Sequence, residues 1–497
     1  MTTLVPATDT LTRDALAVLQ PGFVGTDTPD WLLRQVGDGL ASVGLFGRNI
    51  ASPEQLAALT ARLRAERDDI LVAIDEEGGD VTRLEVNGGS SFPGNHALGA
   101  VDDTALTYAV AHELGRRLAE CGVNLNWAPS ADVNSDPNNP VIGVRSFGAD
   151  TALVSRHTAA YVEGLQAAGV AACTKHFPGH GDTAVDSHHA MPRIDADLET
   201  LYARELQPFR AAIAAGTKSV MSAHILLPVL DPTRPATLSP RILTGLLREE
   251  LGFDGLIVTD GMEMNAIAGT YGIERGSVLA IAAGADAICV GGGLADEGTV
   301  LLLRDALVRA VRDGELPEER LADAAARVRA LASWTATAGR APAAAEPARE
   351  QIGLVAARRA ATVVRADGAV PVTGTPYVAT LSPEANIAVG DETPWGITAD
   401  LAVLLPGTGG GTYTDGSAGA DAVLAAAGER RIVAVARDVH RHPWMAEMLD
   451  ALTAARPDTV VVEMGVPQAP ARGALYVTTH GASRVCGQAA AEAVVAG

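Results

Sequence analysis

Between Thr174 and His189 the chain gathers one Lys, two Asp and four His: Lys175, His176, His180, Asp182, Asp186, His188 and His189. No other stretch concentrates proton-handling side chains so tightly, and a solvated loop of this composition has no structural purpose. Asp186 stands two positions before His188. A carboxylate set against an imidazole orients the ring and raises its pKa towards or above neutral, which makes a general acid/base that works at physiological pH. As a chance pair in a polar loop, these two would mean little. Beside Lys175, His176 and Gly179-His180-Gly181 they read as an active site.

A second centre is Asp260. The apolar run Gly255-Leu256-Ile257-Val258-Thr259 reads as a buried strand that ends on this carboxylate, and Gly261 leaves room for a ligand to approach. Asp260 could be a nucleophile, a general base or a metal ligand; the competing reading is a cap on the next helix. Lys175, Arg83 and Arg145 are cations at comparable positions. With Asp75 they suit hydrogen bonding to several hydroxyls at once, as a sugar requires, although a surface ion pair would equally account for Arg83. Two chemistries compete. The His/Asp cluster could hold the metal of a hydrolytic enzyme, but it lacks a His-Glu-x-x-His spacing and Lys175 would set a cation beside the ion. Alternatively Asp260 attacks an anomeric carbon while the His/Asp pair handles the leaving-group proton. The residues fit the second better.

The elements that must position these groups alternate along the first two thirds of the chain. Strands are expected at Pro21–Val24, Ser42–Phe46, Ile70–Asp75, Val123–Trp127, Val170–Lys175, Ser219–Ile225, Gly255–Asp260 and Ala285–Val290. Helical patterns separate them at Pro53–Glu66, Thr104–Cys121, Ala152–Ala168, Leu198–Ala215 and Pro240–Leu251, with Asp103 in N-cap position. Eight alternations suggest a closed (β/α)8, TIM-like barrel over residues 1–334, whose working residues lie where the strands end. No Gly-x-Gly-x-x-Gly follows the first strand to favour a nucleotide-binding sheet. Residues 335–349, rich in Ala, Pro and Gly, read as a linker. Residues 350–497 read as a smaller three-layer α/β/α sandwich, with a helix at Glu350–Val364 and strands at Tyr377–Leu381, Leu401–Leu405, Arg431–Val435, Thr459–Glu463 and Ala474–Thr478. Gly407-Thr408-Gly409-Gly410-Gly411-Thr412 lacks the Lys of a phosphate loop and reads as a loop.

Composition bounds the partners. The 497 residues exceed one ordinary core, and a net charge of −22 argues against nucleic acid or an anionic membrane as partner. Four separated cysteines suggest buried thiols, no apolar run is long enough to span a membrane, and the N-terminus carries no export pattern. A cytoplasmic protein is expected, with no cofactor and no metal.

Taken together, the residues resemble glycoside hydrolase family 3, in its β-N-acetylglucosaminidase branch, across essentially the whole chain. The resemblance rests on Lys175-His176-Phe177-Pro178-Gly179-His180-Gly181-Asp182-Thr183 with Asp186-Ser187-His188, on Val141 to Gly148, on Val258-Thr259-Asp260 and on Leu45 to Ile50. It implies that Asp260 is the nucleophile of a retaining double displacement, that His188 assisted by Asp186 is the acid/base, and that Asp75, Arg83, Arg145, Lys175 and His176 grip the sugar ring. It also implies an N-acetylglucosamine-containing oligosaccharide or muropeptide as substrate, in cell-wall recycling. A histidine acid/base does not repel an anionic acceptor, so a phosphorylase using phosphate is the variant kept open. Where the family has Gln and Arg, this chain has Glu76 and Asp80, which predicts a more acidic rim. Glu463 is expected to be structural, and the second domain to serve stability or a homodimer. Three less favoured readings are a substrate-assisted hexosaminidase built on Asp75-Glu76, a non-catalytic sugar-binding protein and the metal-dependent hydrolase.

Overall fold

The computed structural model describes residues 9–183, 191–338, 351–384, 389–390, 392–416 and 419–497. Asp186 and His188, and most of the expected linker, lie outside the described residues. The helix before that linker continues past residue 334, running Glu318–Ala338.

Eight short strands form the first unit: β1 (Leu19–Pro21), β2 (Ser42–Leu45), β3 (Leu71–Ile74), β4 (Leu125–Asn126), β5 (Ala171–Phe177), β6 (Ser219–Ser222), β7 (Leu256–Thr259) and β8 (Ile288–Val290). Strands β2 to β7 pair in sequence order as one parallel sheet. A bridge between Val258 and Ala287 carries the sheet on to β8, and β8 pairs parallel with β1. This is an α/β arrangement with its parallel strands in a half-barrel, hydrogen-bonded along the β2-to-β1 path. Its strands are buried along their whole length, because helices cover one side and the barrel core the other. That is why Leu71-Val72-Ala73-Ile74 and Leu256-Ile257-Val258 are unbroken apolar runs. The first strand lies slightly earlier than its expected Pro21–Val24. Helix Thr104–Glu120 starts as predicted, Asp103 accepting from the N–H groups of Ala105 and Leu106 at 3.1 Å each.

Residues 351–497 contribute β9 (Thr362–Arg365), β10 (Tyr377–Leu381), β11 (Gly409–Tyr413), β12 (Ile432–Ala436), β13 (Val460–Glu463) and β14 (Leu475–Thr478). They form one sheet in the order β11-β10-β12-β13-β14-β9, parallel except for β9. Alternate residues of β12 and β13 feed two separate apolar clusters. Val433, Val435, Val460 and Val462 pack with Leu401 and Val485, whereas Ile432, Ala434 and Val461 pack with Val423 and Leu449. Three expectations need correction. The helix near Glu350–Val364 is Ile352–Ala360, and its last predicted residues belong to β9. Leu401–Leu405 is not a strand: Thr398–Leu404 is helical, with only Leu401 buried while Val403 is 80% exposed. The glycine-rich segment read as a loop contains β11, which pairs with Tyr377–Leu381.

The four cysteines are free and buried; burial pushes the thiols of Cys173 and Cys486 up to about 12. Among the described residues no helix is long and apolar enough to cross a membrane.

Candidate active site

At the strand ends of the first unit a cavity of about 540 Å³ opens. Its lining includes Asp75, Arg83, Arg145, Lys175, His176 and Asp260, so six of the eight predicted site residues share one space. The other two, Asp186 and His188, fall among residues 184–190, which are not described. Phe46, Trp127, His180, Met221 and Glu263 also face this space.

β3 delivers Asp75 at its end, and a turn closed by the Gly78–Val81 bridge follows. Inside that turn Glu77 is the pivot. It takes Arg145 bidentately, with Nη2–Oε1 at 2.6 Å and Nε–Oε2 at 3.0 Å, and Lys175 Nζ at 2.6 Å. Lys175 also pairs with Asp75, which in turn meets Arg83 at 3.3 Å. The Glu77, Arg145 and Lys175 side chains are at most 5% exposed. Burial is the largest single influence and would raise the Asp75 carboxyl, but Lys175, Arg83 and Arg145 together outweigh it and hold the group below its ordinary value. Against the same burial, Arg145 and Lys175 hold Glu77 well below the carboxylate range. The cluster therefore stays ionised at neutral pH, two carboxylates against three cations, as a polyhydroxyl ligand needs.

The Lys175–His176 peptide is cis, and both side chains line the same cavity. Arg145 Nη2 donates to His176 Nε2 at 3.2 Å, so Nε2 is the acceptor and Nδ1 carries the proton, donating to Asp132 Oδ2 at 2.7 Å. Asp132 is the hub that sequence reasoning passed over. Its Oδ1 accepts from the backbone N–H of His176 at 3.2 Å and of His180 at 2.7 Å, and Ser130 donates to Oδ2 at 2.8 Å. A carboxylate at a strand exit was the available signal; that it folds the Lys175–His180 segment was not. His180 is 2% exposed and burial pushes its imidazole down to about 4.

Asp260 follows β7, with Oδ1 accepting from the Gly261 N–H at 2.8 Å. The next helix is Asn265–Tyr271 with Met264 at its N-cap, so Asp260 is not that helix's cap. From β6, His224 Nε2 donates to the Gly261 carbonyl at 3.0 Å and steadies the turn that carries the carboxylate.

The two departures from the family pattern do not make the rim more acidic, because both acids are buried. Asp80 Oδ1 accepts from the Ala482 N–H at 2.7 Å and Oδ2 pairs with Arg437, both in the second unit. Glu76 Oε2 accepts from the N–H groups of Arg83 and Leu84 at 2.7 and 2.8 Å and from Thr82 Oγ1 at 3.1 Å. Burial nevertheless pushes Glu76 up to about 7, from 4.5. The folded protein thus holds a proton that the unfolded chain releases near 4.5, and this contribution to stability is lost as pH rises from there through about 7. Glu76→Gln keeps an acceptor for the three donors and removes the titration. Melting curves from pH 5 to 8 should show the parent losing up to about 3 kcal/mol relative to the variant; parallel curves would contradict this. Glu463 is buried as well, and accepts from the N–H groups of Asp438 and Gly465 at 2.8 Å and Val439 at 3.2 Å. Its role is to fold the turn after β12.

The pattern of the glycosyl hydrolase family 3 N-terminal domain matches residues 28–331, more than half of the chain and nearly all of the barrel. The chain belongs to glycosyl hydrolase family 3. Its relatives within this glycosidase family include beta-hexosaminidase A of Pseudoalteromonas piscicida, 33% identical over 357 residues, which are 66% of this chain and 60% of that protein. A beta-hexosaminidase of Chromobacterium violaceum is 39% identical over 258 residues, 50% of this chain and 71% of its own. The chain thus spans about 60% of the length of the first relative. Among solved structures, a family 3 beta-N-acetylglucosaminidase from Paenibacillus sp. FPU-7 superposes with a TM-score of 0.86 at 34% identity, covering 98% of this chain and 97% of that one. This family 3 member therefore shares its architecture with that protein along nearly the full length.

Proposed function

We propose that the protein is a retaining exo-β-N-acetylglucosaminidase acting in cell-wall recycling, with an N-acetylglucosamine-containing oligosaccharide or muropeptide as substrate. The carrying observation is the placement of Asp260 in one cavity with the Asp75, Arg83, Arg145, Lys175 and His176 grip. The names of the beta-hexosaminidase relatives and of the Paenibacillus enzyme support the choice of sugar. On this reading the division of labour is a (β/α)8 barrel over 1–334, a linker over 335–349 and a three-layer sandwich over 350–497.

The chemistry proceeds in two displacements. A terminal sugar enters with its hydroxyls against Asp75, Arg83 and Lys175, while Arg145 and His176 complete the wall. The Asp260 carboxylate attacks the anomeric carbon as the bond to the leaving oxygen breaks, and His188, oriented by Asp186, gives that oxygen its proton. The product is a glycosyl ester on Asp260. His188, now neutral, takes a proton from water; the water oxygen bonds to the anomeric carbon and the carboxylate departs. Two inversions give net retention.

A histidine in this role leaves phosphate able to replace water in the second step, and sugar phosphate would then be the product. The test is release of p-nitrophenol from its N-acetyl-β-glucosaminide with and without phosphate. Turnover is expected, and free N-acetylglucosamine should dominate in both conditions. Sugar 1-phosphate as the main product would make the protein a phosphorylase, and absence of turnover would overturn the reading.

A further inference from the structure

The turn that carries the sugar grip is held from outside the barrel. Asp75, Glu77 and Arg83 all lie on the segment 75–83, and Asp80 occupies its tip, three residues from Glu77 and three from Arg83. On the barrel side the turn is fixed by its own bonds: the Glu77 N–H donates to the Val81 carbonyl at 3.1 Å, and the Gly79 N–H to the Phe92 carbonyl at 3.1 Å. A side chain at Gly79, where φ is +72°, would meet Gly94 Cα at 2.5 Å, so the turn is pressed directly on its neighbour. Its other side faces the second unit. There both Asp80 oxygens are taken, one by the Ala482 N–H and one by the Arg437 guanidinium, and the Asp80 side chain is 2% exposed. Arg437 is itself fixed by stacking over Trp395, 5.0 Å from the ring centroid.

From this arrangement we infer that Arg437 is a positioning residue for sugar binding: by pinning Asp80 it fixes the turn that carries Asp75 and Arg83, which line the cavity, and Glu77, which holds Arg145 and Lys175. The second unit then has a part in the site although none of its side chains lines the described cavity. The inference rests on the proposed glycosidase function. It explains why Asp at position 80, where the resemblance leads one to expect Arg, faces an Arg across the units: two cations there would repel each other.

The test uses the full chain with Arg437→Ala, Arg437→Lys and Asp80→Asn; the last keeps an acceptor for Ala482 and perturbs folding least. KM for the p-nitrophenyl N-acetyl-β-glucosaminide and the dissociation constant of free N-acetylglucosamine are measured together with kcat. Arg437→Ala and Asp80→Asn should raise KM and the dissociation constant about tenfold, since a small displacement of gripping groups weakens every contact they make. At the same time kcat should stay within about threefold of the parent, and Arg437→Lys should recover part of the loss. KM and the dissociation constant unchanged in both variants would overturn the inference. So would a fall in kcat at unchanged KM, the signature of a smaller folded fraction. A parent that turns nothing over defeats the functional reading instead, and the N-acetylglucosamine dissociation constants then decide the positioning role alone.

Discussion

Replacing Glu77 by Gln should destabilise the protein by about 3 to 5 kcal/mol, the usual consequence of removing one partner from a buried ion cluster. The reason is local. Glu77 lies between two buried cations, Arg145 at 2.6 Å and Lys175 at 2.6 Å. Glutamine has nearly the same shape but no charge, so the two cations face each other with Asp75 and Asp132 left to balance them. Asp75 already serves Lys175 and Arg83. The expected loss is about a fifth or more of the stability of an ordinary domain. Equilibrium denaturation would show it as a lower midpoint at unchanged slope. Because Lys175 and Arg145 also face the cavity, KM should rise in the same variant. A midpoint shift worth less than about 1 kcal/mol would mean that solvent, rather than Glu77, balances these cations.

How much of this was legible in the sequence follows from which interactions are local. β5 and β7 were readable because strands buried on both faces appear as continuous apolar runs, and their last residues could then be assigned to the barrel mouth. β11 was not. Gly409-Gly410-Gly411 offers no side chains to alternate, and only pairing with Tyr377–Leu381 reveals a strand. Leu401–Leu405 misled in the opposite direction, since its aliphatic composition suits a buried strand, yet Leu401 alone in the observed helix is buried and Val403 and Leu404 are exposed. The site shows the same division. Asp260, Lys175 and Arg145 could be picked by type and position. Asp132 works through backbone N–H groups 44 and 48 residues later, and Asp80 through an arginine 357 residues later. Both are folding facts with no local signature, and Asp80 was therefore expected on the rim rather than between the two units. Glu77 was visible but unremarked, because its meaning lies in two cations that come from elsewhere in the barrel.

The second large effect concerns Asp260. As the proposed nucleophile, its carboxylate forms the bond that carries the reaction. Glu263, the next acid along, lines the same cavity and accepts through Oε1 from the Gly291 N–H at 2.9 Å. Asp260→Gly should lower kcat about 10⁴-fold or more, as removal of a nucleophile does elsewhere, and the fold should survive, because Gly261 already occupies the same turn with no side chain. The deletion also leaves a space the size of a carboxylate beside the anomeric carbon. A small anion such as azide can enter it, attack from the same face as Asp260 and leave the product as an α-glycosyl azide, with the leaving oxygen still protonated by His188. A substrate-assisted enzyme would behave differently, since its own acetamide is the nucleophile. The deciding measurement is turnover of the p-nitrophenyl N-acetyl-β-glucosaminide by Asp260→Gly, with and without azide, with the anomeric configuration of the product read by proton NMR. Near-complete loss is predicted without azide, and restored release with α-glycosyl azide when it is present. Turnover within about tenfold of the parent, or restored release giving only the β-anomer, would contradict Asp260 as the nucleophile.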